Sequence, residues 1–408
     1  MLIIALAILI ALACVNLFMT KRGLHPSVVY AAIWAIQLAG LVIFSDRFIK
    51  PSAEVLLIVV LGAIFFSIGS HLSSVAVFFE GHIIHPRKVR RDTTLFLIFA
   101  IVVAICLYGQ YRIFSELVHK GNFAESLVYA RTLMSIENED IYGLYKYGSP
   151  IALGVMLALQ ILIIRNEANL LHKILFGYFL VAALFMAVIS TGRGPIAFIF
   201  LLLGLVYIFS SDRKIITRRV GIISVAFSAF TFVVFWIMGS AMGKADEAAL
   251  GAMSDLIDYL FSSIPALSVY LDQNQIHIIG GDWGSNTLRF FFSLAAAAGL
   301  AEKPVSLVQE FVPVPHLTNL YTTYLQYVQD FGWSGIVVVP LFIGYLYGYL
   351  FRWSMNNKKD EFALYMLCIS YLPLLQSVFQ ETLFVSLSSW IQFALIGFVI
   401  SKIYKIRL

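Results

Sequence analysis

The residue types best suited to chemistry fall in three places. The first is Ser190-Thr191-Gly192-Arg193-Gly194-Pro195, where Arg193 is the only formally charged residue between Lys173 and Asp212. A guanidinium presents a rigid fork of donors that matches a phosphate. Gly192 and Gly194 let a backbone come close to a ligand, and Pro195 suits the first turn of a helix, whose free N–H groups favour an anion. The pattern describes an anion site, and the alternative is an arginine that snorkels to a membrane interface.

The second place is 313–335, PVPHLTNLYTTYLQYVQDFGWSG. His316, Asn319 and Tyr321 open an aromatic, polar stretch that predicts a short helix, and Asp330-Phe331-Gly332 and Gly335 close it. A histidine titrates near neutrality, so His316 suits a general base acting on a hydroxyl, or equally a structural hydrogen bond. The third is Arg289, ahead of Phe290, Phe291 and Phe292, which fits a second phosphate or a sugar acid, or a salt bridge to a nearby acid. Tyr270, Trp283 and Trp333 have faces for stacking on sugar rings, although Trp333 also suits an interfacial belt. Nucleotide-binding, zinc-protease, dithiol and serine-hydrolase patterns are absent from the sequence, and Asp330-Phe331-Gly332 lacks the companions of the kinase motif. Cys14, Cys106 and Cys368 all lie in apolar runs with no spacing motif. The residues therefore predict neither a metal nor a cofactor.

Membrane spans must position these residues. Of 408 residues, 60% are hydrophobic and only 12% charged, with a mean hydropathy of +0.88. A soluble surface cannot be built from that mixture. Apolar runs of about twenty residues recur, the length of a transmembrane helix rather than a barrel strand. Eleven spans are predicted: 2–19, 27–45, 53–73, 93–110, 149–165, 173–190, 194–211, 219–239, 334–352, 361–378 and 383–401. Lys21 and Arg22 follow the first span and no basic residue precedes it, so it reads as an uncleaved anchor with its N-terminus outside. With the 20–26 loop cytoplasmic, 18 of the 28 Lys and Arg residues lie on the inner side, in the shorter segments. The prediction is an all-α polytopic membrane protein with about eleven transmembrane helices, N-terminus outside and C-terminus cytoplasmic. The basic residues are explained by this topology, not by nucleic acid.

Two segments exceed a connector, both on the outer side. Residues 111–148 carry Glu137, Glu139, Asp140, Tyr142, Tyr145 and Tyr147 and read as a solvated face with interfacial tyrosines. Residues 240–333 hold nine acids against three basic residues, and are expected to form an ordered cap with short helices at 255–271 and 289–300. The sequence thus divides into 1–239, spans one to eight; 240–333, the large outer loop; and 334–408, spans nine to eleven.

These features resemble the Wzy-type polymerases of bacterial O-antigen and capsule repeat units, which are related to the O-antigen ligases. The resemblance rests on the span plan with a late, large outer loop; on Arg193 followed after ten residues by Gly204; and on the stretch from His316 through Asn319, Tyr321-Thr322 and Asp330-Phe331-Gly332 to Gly335. A second arginine–glycine pair would need glycine at position 300, where Leu300 stands and Gly299 falls one residue short. The resemblance implies a metal-independent glycosyl transfer at the outer face of the plasma membrane, from a glycan on undecaprenyl pyrophosphate to a lipid-linked repeat unit. It implies that Arg193, with Gly192, Gly194 and Arg289, holds the pyrophosphate, that His316 activates the acceptor, and that Asn319 and Tyr321 position sugars. Membrane lipids and a chain-length regulator are the implied partners. A ligase with the same donor, and a lipid-linked oligosaccharide flippase, are the alternatives; a flippase predicts charges along the spans and smaller outer loops.

Overall fold

The structure is a computed structural model that describes residues 1–73, 93–118, 123–135, 141–190, 193–210, 249–273, 283–302, 309–357 and 359–401. It is mostly helical, at 79%. Among the described residues, seven helices are long and apolar enough to cross a membrane, and three shorter apolar helices join them. Large apolar side chains such as Ile4, Phe18, Ile98 and Ile101 lie exposed along these helices, as lipid contact demands and water forbids. The chain is an all-α polytopic membrane protein. Ten of the predicted spans fall on helices, and the span at 219–239 lies outside the described residues.

The chain divides into two compact units. The first comprises Met1–Glu80, Ile257–Asn356 and Ser370–Ser388; the second comprises Gly81–Leu256, Asn357–Ile369 and Ser389–Leu408.

The first unit is built on α1 (Leu2–Thr20), α2 (Pro26–Ile43), α3 (Ala53–Leu72) and a long helix. Within 240–333 the chain forms α9 (Ala249–Phe261), α10 (Ser263–Gln273), α11 (Arg289–Ala297) and a small hairpin of β1 (Val312–Pro313) with β2 (Leu317–Thr318). The predicted helix at 255–271 is therefore two helices, broken at Ser262. The stretch from Pro313 is not a helix at its start: two prolines, at 313 and 315, withhold N–H donors, so the chain turns as a hairpin first. The long helix α12 (Tyr324–Asn356) follows. It contains the ninth predicted span and bends at Gly332, whose φ of 58° and ψ of −141° lie outside helical values.

Glycine sets how closely α3 and α12 approach. A Cβ added to Gly69 would lie 1.9 Å from the Leu341 carbonyl oxygen, one on Gly344 2.1 Å from that of Phe66, and one on Gly348 2.2 Å from that of Ser70. Helix backbones in a membrane pack this closely only through small residues. Aromatic rings fill the space beside this contact: Tyr30 stacks on Phe66 at 3.9 Å and Trp34 on Tyr324 at 5.0 Å.

The second unit holds α4 (Thr94–Val118), α5 (Phe123–Ser135), a 3-10 turn (Gly143–Tyr147), α6 (Gly148–Ile164), α7 (Leu170–Ile189) and α8 (Arg193–Ser210). Asn169 caps α7 by accepting from the His172 amide at 2.8 Å. Polar side chains bond across the helices: Gln160 Nε2 donates to the Leu203 carbonyl at 2.7 Å, and Tyr178 to that of Ala100 at 3.0 Å. The described part of 111–148 is not simply a solvated face, because it packs as α5 and the 3-10 turn, burying Leu127, Ala130 and Tyr142 against Phe114 and Ile189. Glu137, Glu139 and Asp140 lie outside the described residues. Two further helices, α13 (Glu361–Gln376) and α14 (Leu387–Ser401), close the sequence, with Pro373 inside α13.

Candidate functional site

In the first unit, the hairpin carries His316 at its turn, where the Val314 amide donates to the His316 carbonyl at 2.8 Å. The imidazole is 74% exposed and its Nε2 lies 3.4 Å from Asp258 Oδ2. Asp258 is a buried residue of α9. Arg47, in the connection between α2 and α3, grips it with both arms of its fork: Nε to Oδ1 at 2.5 Å and Nη2 to Oδ2 at 2.7 Å. Three charged or chargeable groups therefore form one chain, Arg47–Asp258–His316. The bidentate arginine fixes the carboxylate in place. A fixed carboxylate beside one imidazole nitrogen selects the tautomer that donates to it, leaving Nδ1 as the proton acceptor.

Asn319 is half-buried at the hairpin's exit. Tyr321 is buried, its hydroxyl donates to the Glu310 carbonyl at 2.8 Å, and its ring meets Tyr270 edge-on at 5.0 Å. Burial raises its pKa above the usual phenol range. In this structure Tyr321 fastens the hairpin rather than presenting a hydroxyl to solvent. Tyr270 is itself held by Gln329 Nε2 at 3.2 Å, so the aromatic pair is a mount.

Arg289 opens α11, half-buried, and burial lowers its pKa below the usual arginine value. It makes no ion pair among the described residues. The turn ahead of it is held by Asp330, a buried carboxylate that accepts from the amides of Asn286 and Thr287 and from the Asn286 side chain. Gly332 turns the chain immediately after Asp330, and Gly335 packs where a Cβ would lie 2.2 Å from the Tyr327 carbonyl. Asp330-Phe331-Gly332 is a structural device: the acid ties down the loop before Arg289 and the glycine bends α12.

Arg193 lies in the second unit as the first residue of α8, with Pro195 in the first turn. The end of α7 beside it is fixed, since Tyr142 donates to the Ile189 carbonyl at 3.0 Å. Thr191 and Gly192, and the Arg193 side chain, lie outside the described residues. An added Cβ on Gly194 would meet only the Phe198 ring, at 3.2 Å.

Three functional candidates escaped the sequence reading. Arg47 and Asp258 are 211 residues apart, so no local pattern joins them. Glu381 stands in the connection between α13 and α14. It is 4% exposed and its carboxylate accepts from the amides of Leu383, Phe384 and Val385 at 2.9 to 3.2 Å. It lines a cavity with Tyr30, Thr323, Tyr327 and Tyr347 that has room for one water. Burial pushes its pKa up to about 7, against the pull of the three amides and the Tyr327 hydroxyl. The signal was present: Glu381 is the only acid after Glu361.

Comparison of the chain with protein-family models, with curated proteins and with solved structures finds no match.

Proposed function

We propose that the chain is a glycosyltransferase that polymerises undecaprenyl-pyrophosphate-linked oligosaccharide repeat units at the outer face of a bacterial plasma membrane. The reading takes eleven spans, with the N-terminus outside and the C-terminus cytoplasmic, and is supported by the excess of Lys and Arg in the segments it places inside. The single observation that carries it is the Arg47–Asp258–His316 chain, which joins the α2–α3 connection to the large loop, two segments that the proposed topology has outside.

In the proposed reaction the acceptor hydroxyl attacks the anomeric carbon of the donor sugar. The bond from that carbon to the pyrophosphate oxygen breaks, and the pyrophosphate leaves with the bonding pair. His316 Nδ1 takes the hydroxyl proton, and Asp258 stabilises the imidazolium that forms. On the resemblance alone, Arg193 with Gly192 and Gly194 is assigned the pyrophosphate and offsets charge as it accumulates on the leaving group, and Arg289 is the further arginine that the resemblance names. Asn319 contacts sugar, and Tyr321 shapes the hairpin that presents His316. Neither metal nor nucleotide enters the scheme, because the sugar–pyrophosphate bond supplies the driving force. A chain-length regulator is the proposed protein partner.

Glycan banding from a deletion strain of the source organism, complemented with wild type, Arg193→Ala or His316→Ala, tests this. A ladder that collapses to one repeat and returns only with wild type supports it. An unchanged ladder on deletion rejects polymerisation, and loss of every band, including the single repeat, points to a ligase or flippase.

A further inference from the structure

One helix of the first unit carries its apolar side chains outward. α11 holds three phenylalanines and a leucine, yet none of its residues is buried. α10, in the same large loop, buries eight of its eleven. Phe291 is 55% and Leu294 54% exposed. At helical spacing they share one side with Ala297 and Ala298, which are also exposed. Arg289, Phe292, Ala295 and Ala296 are half-buried. Gly299, at φ 73°, stops the helix, and the Leu300 amide closes it on the Ala295 carbonyl at 2.8 Å. A helix that rests on a water-soluble core turns its apolar stripe inward and its charges outward. Here the open side has no charge at all. The loop has nine acids, but none between Asp282 and Glu302, where Arg289 is the one formal charge.

A second observation sets the height of this helix. The turn that launches it is tied to Asp330, which accepts the Asn286 and Thr287 amides. The same turn packs on the next residue: a Cβ added to Gly284 would lie 3.4 Å from the Phe331 ring. Asp330 precedes Trp333 by three residues, so the two stand within about 11 Å. Trp333 opens the row of exposed apolar side chains along α12 that continues with Val338, Phe342 and Leu346. That row is where α12 meets lipid, and a tryptophan at its end marks the level of the headgroups. α11 therefore begins at the edge of a surface already given to lipid. A second copy of the chain suits the face less well. Nine residues make about 14 Å of helix, and one side of it falls far short of the roughly 800 Å² that each partner gives a stable interface.

We propose that α11 lies in the plane of the membrane, at the headgroup level of the Trp333 end of α12, with Phe291, Leu294 and Ala298 sunk among the lipid acyl chains. The bilayer itself is the partner, and the helix is an interfacial anchor for the large loop. The anchor needs only that α12 crosses the membrane. It does not rest on the glycosyltransferase reading, nor on which face of the membrane the loop occupies.

The test uses the full chain in vesicles of phosphatidylcholine, either plain or brominated near the top of the acyl chains, with Phe291→Trp and Leu294→Trp made separately. Each variant adds the emission of one tryptophan to that of the wild type, and bromine quenches a tryptophan only at contact. The added emission should fall about twofold in brominated vesicles, because an interfacial helix reaches a depth of roughly 5–10 Å, and it should resist iodide in the water. Both positions are exposed, so a larger ring needs no repacking, and either variant alone decides the matter if the other fails to fold. Added emission that iodide quenches and brominated lipid does not would put the face in water and overturn the proposal. Added emission that neither quenches would mean that protein covers the face, a second copy or another segment of the chain, and would overturn it equally.

Discussion

The Asp330 carboxylate accepts the Thr287 backbone amide at 2.5 Å, across 43 residues of sequence. This bond and its two companions to Asn286 fix the turn that launches α11, and so the place of Arg289. Asp330→Ala strands two amides in a buried position, where each lost charge-assisted bond costs about 2 kcal/mol. Thermal unfolding in detergent should show a lowered midpoint. A midpoint unchanged from wild type would mean that the turn holds itself.

Asp258 acts on His316 from inside α9. Asp258→Asn removes the charge that stabilises an imidazolium, and polymer formation should fall about 100-fold while the protein still reaches the membrane. Arg47→Lys, which loses the two-armed grip but keeps the charge, should fall between that variant and wild type. Quantified glycan ladders beside immunoblots of membrane fractions give both readings. Equal activity in all three would remove the chain from the mechanism.

Gly332 and Gly344 predict different kinds of damage. Gly332→Ala places a side chain at φ 58°, ψ −141°, a strained conformation that costs about 1 to 3 kcal/mol. Gly344→Ala drives a methyl into the Phe66 carbonyl, an overpacking cost of similar size. Gly204→Ala, which would meet nothing within 4 Å, is the control. Chemical or thermal unfolding of the three variants should rank Gly204→Ala nearest to wild type, and any other order would contradict the packing described.

Glu381 predicts a pH dependence. Its folded pKa is raised from 4.5 to about 7, so the native state holds a proton that the unfolded chain has released. Stability from this group is complete below pH 4.5 and is lost as pH rises through about 7, by roughly 3 kcal/mol in all. Unfolding midpoints measured from pH 5 to pH 8 should decline for wild type and decline less for Glu381→Gln. Parallel curves would assign the pH dependence to other groups.

The helices were legible because lipid demands long apolar runs, and such runs need no partner to be recognised. The seams between helices were not. Gly69 lies in one ordinary apolar stretch and Gly344 and Gly348 in another, and only folding brings them opposite bare carbonyls. His316 was visible by its type and by the motif around it, whereas Asp258 passed as one of nine acids in an acidic loop. Tyr321 stands out by its place beside His316 and Asn319, but residue type does not say whether a phenol faces a sugar or a carbonyl. Ser262 separates α9 from α10 in mid-pattern, beside Ser263, whose hydroxyl donates to the Val378 carbonyl at 2.6 Å across 115 residues, a partner that periodicity does not record.

The contact between α3 and α12 has one more consequence. Where glycine meets carbonyl, no side chains lie between the two backbones, so nothing there changes rotamer or melts early. The pair moves as one strut, and sliding along that seam would lift every glycine off its seat at once. Any rearrangement of the first unit must therefore come from elements without such a seam.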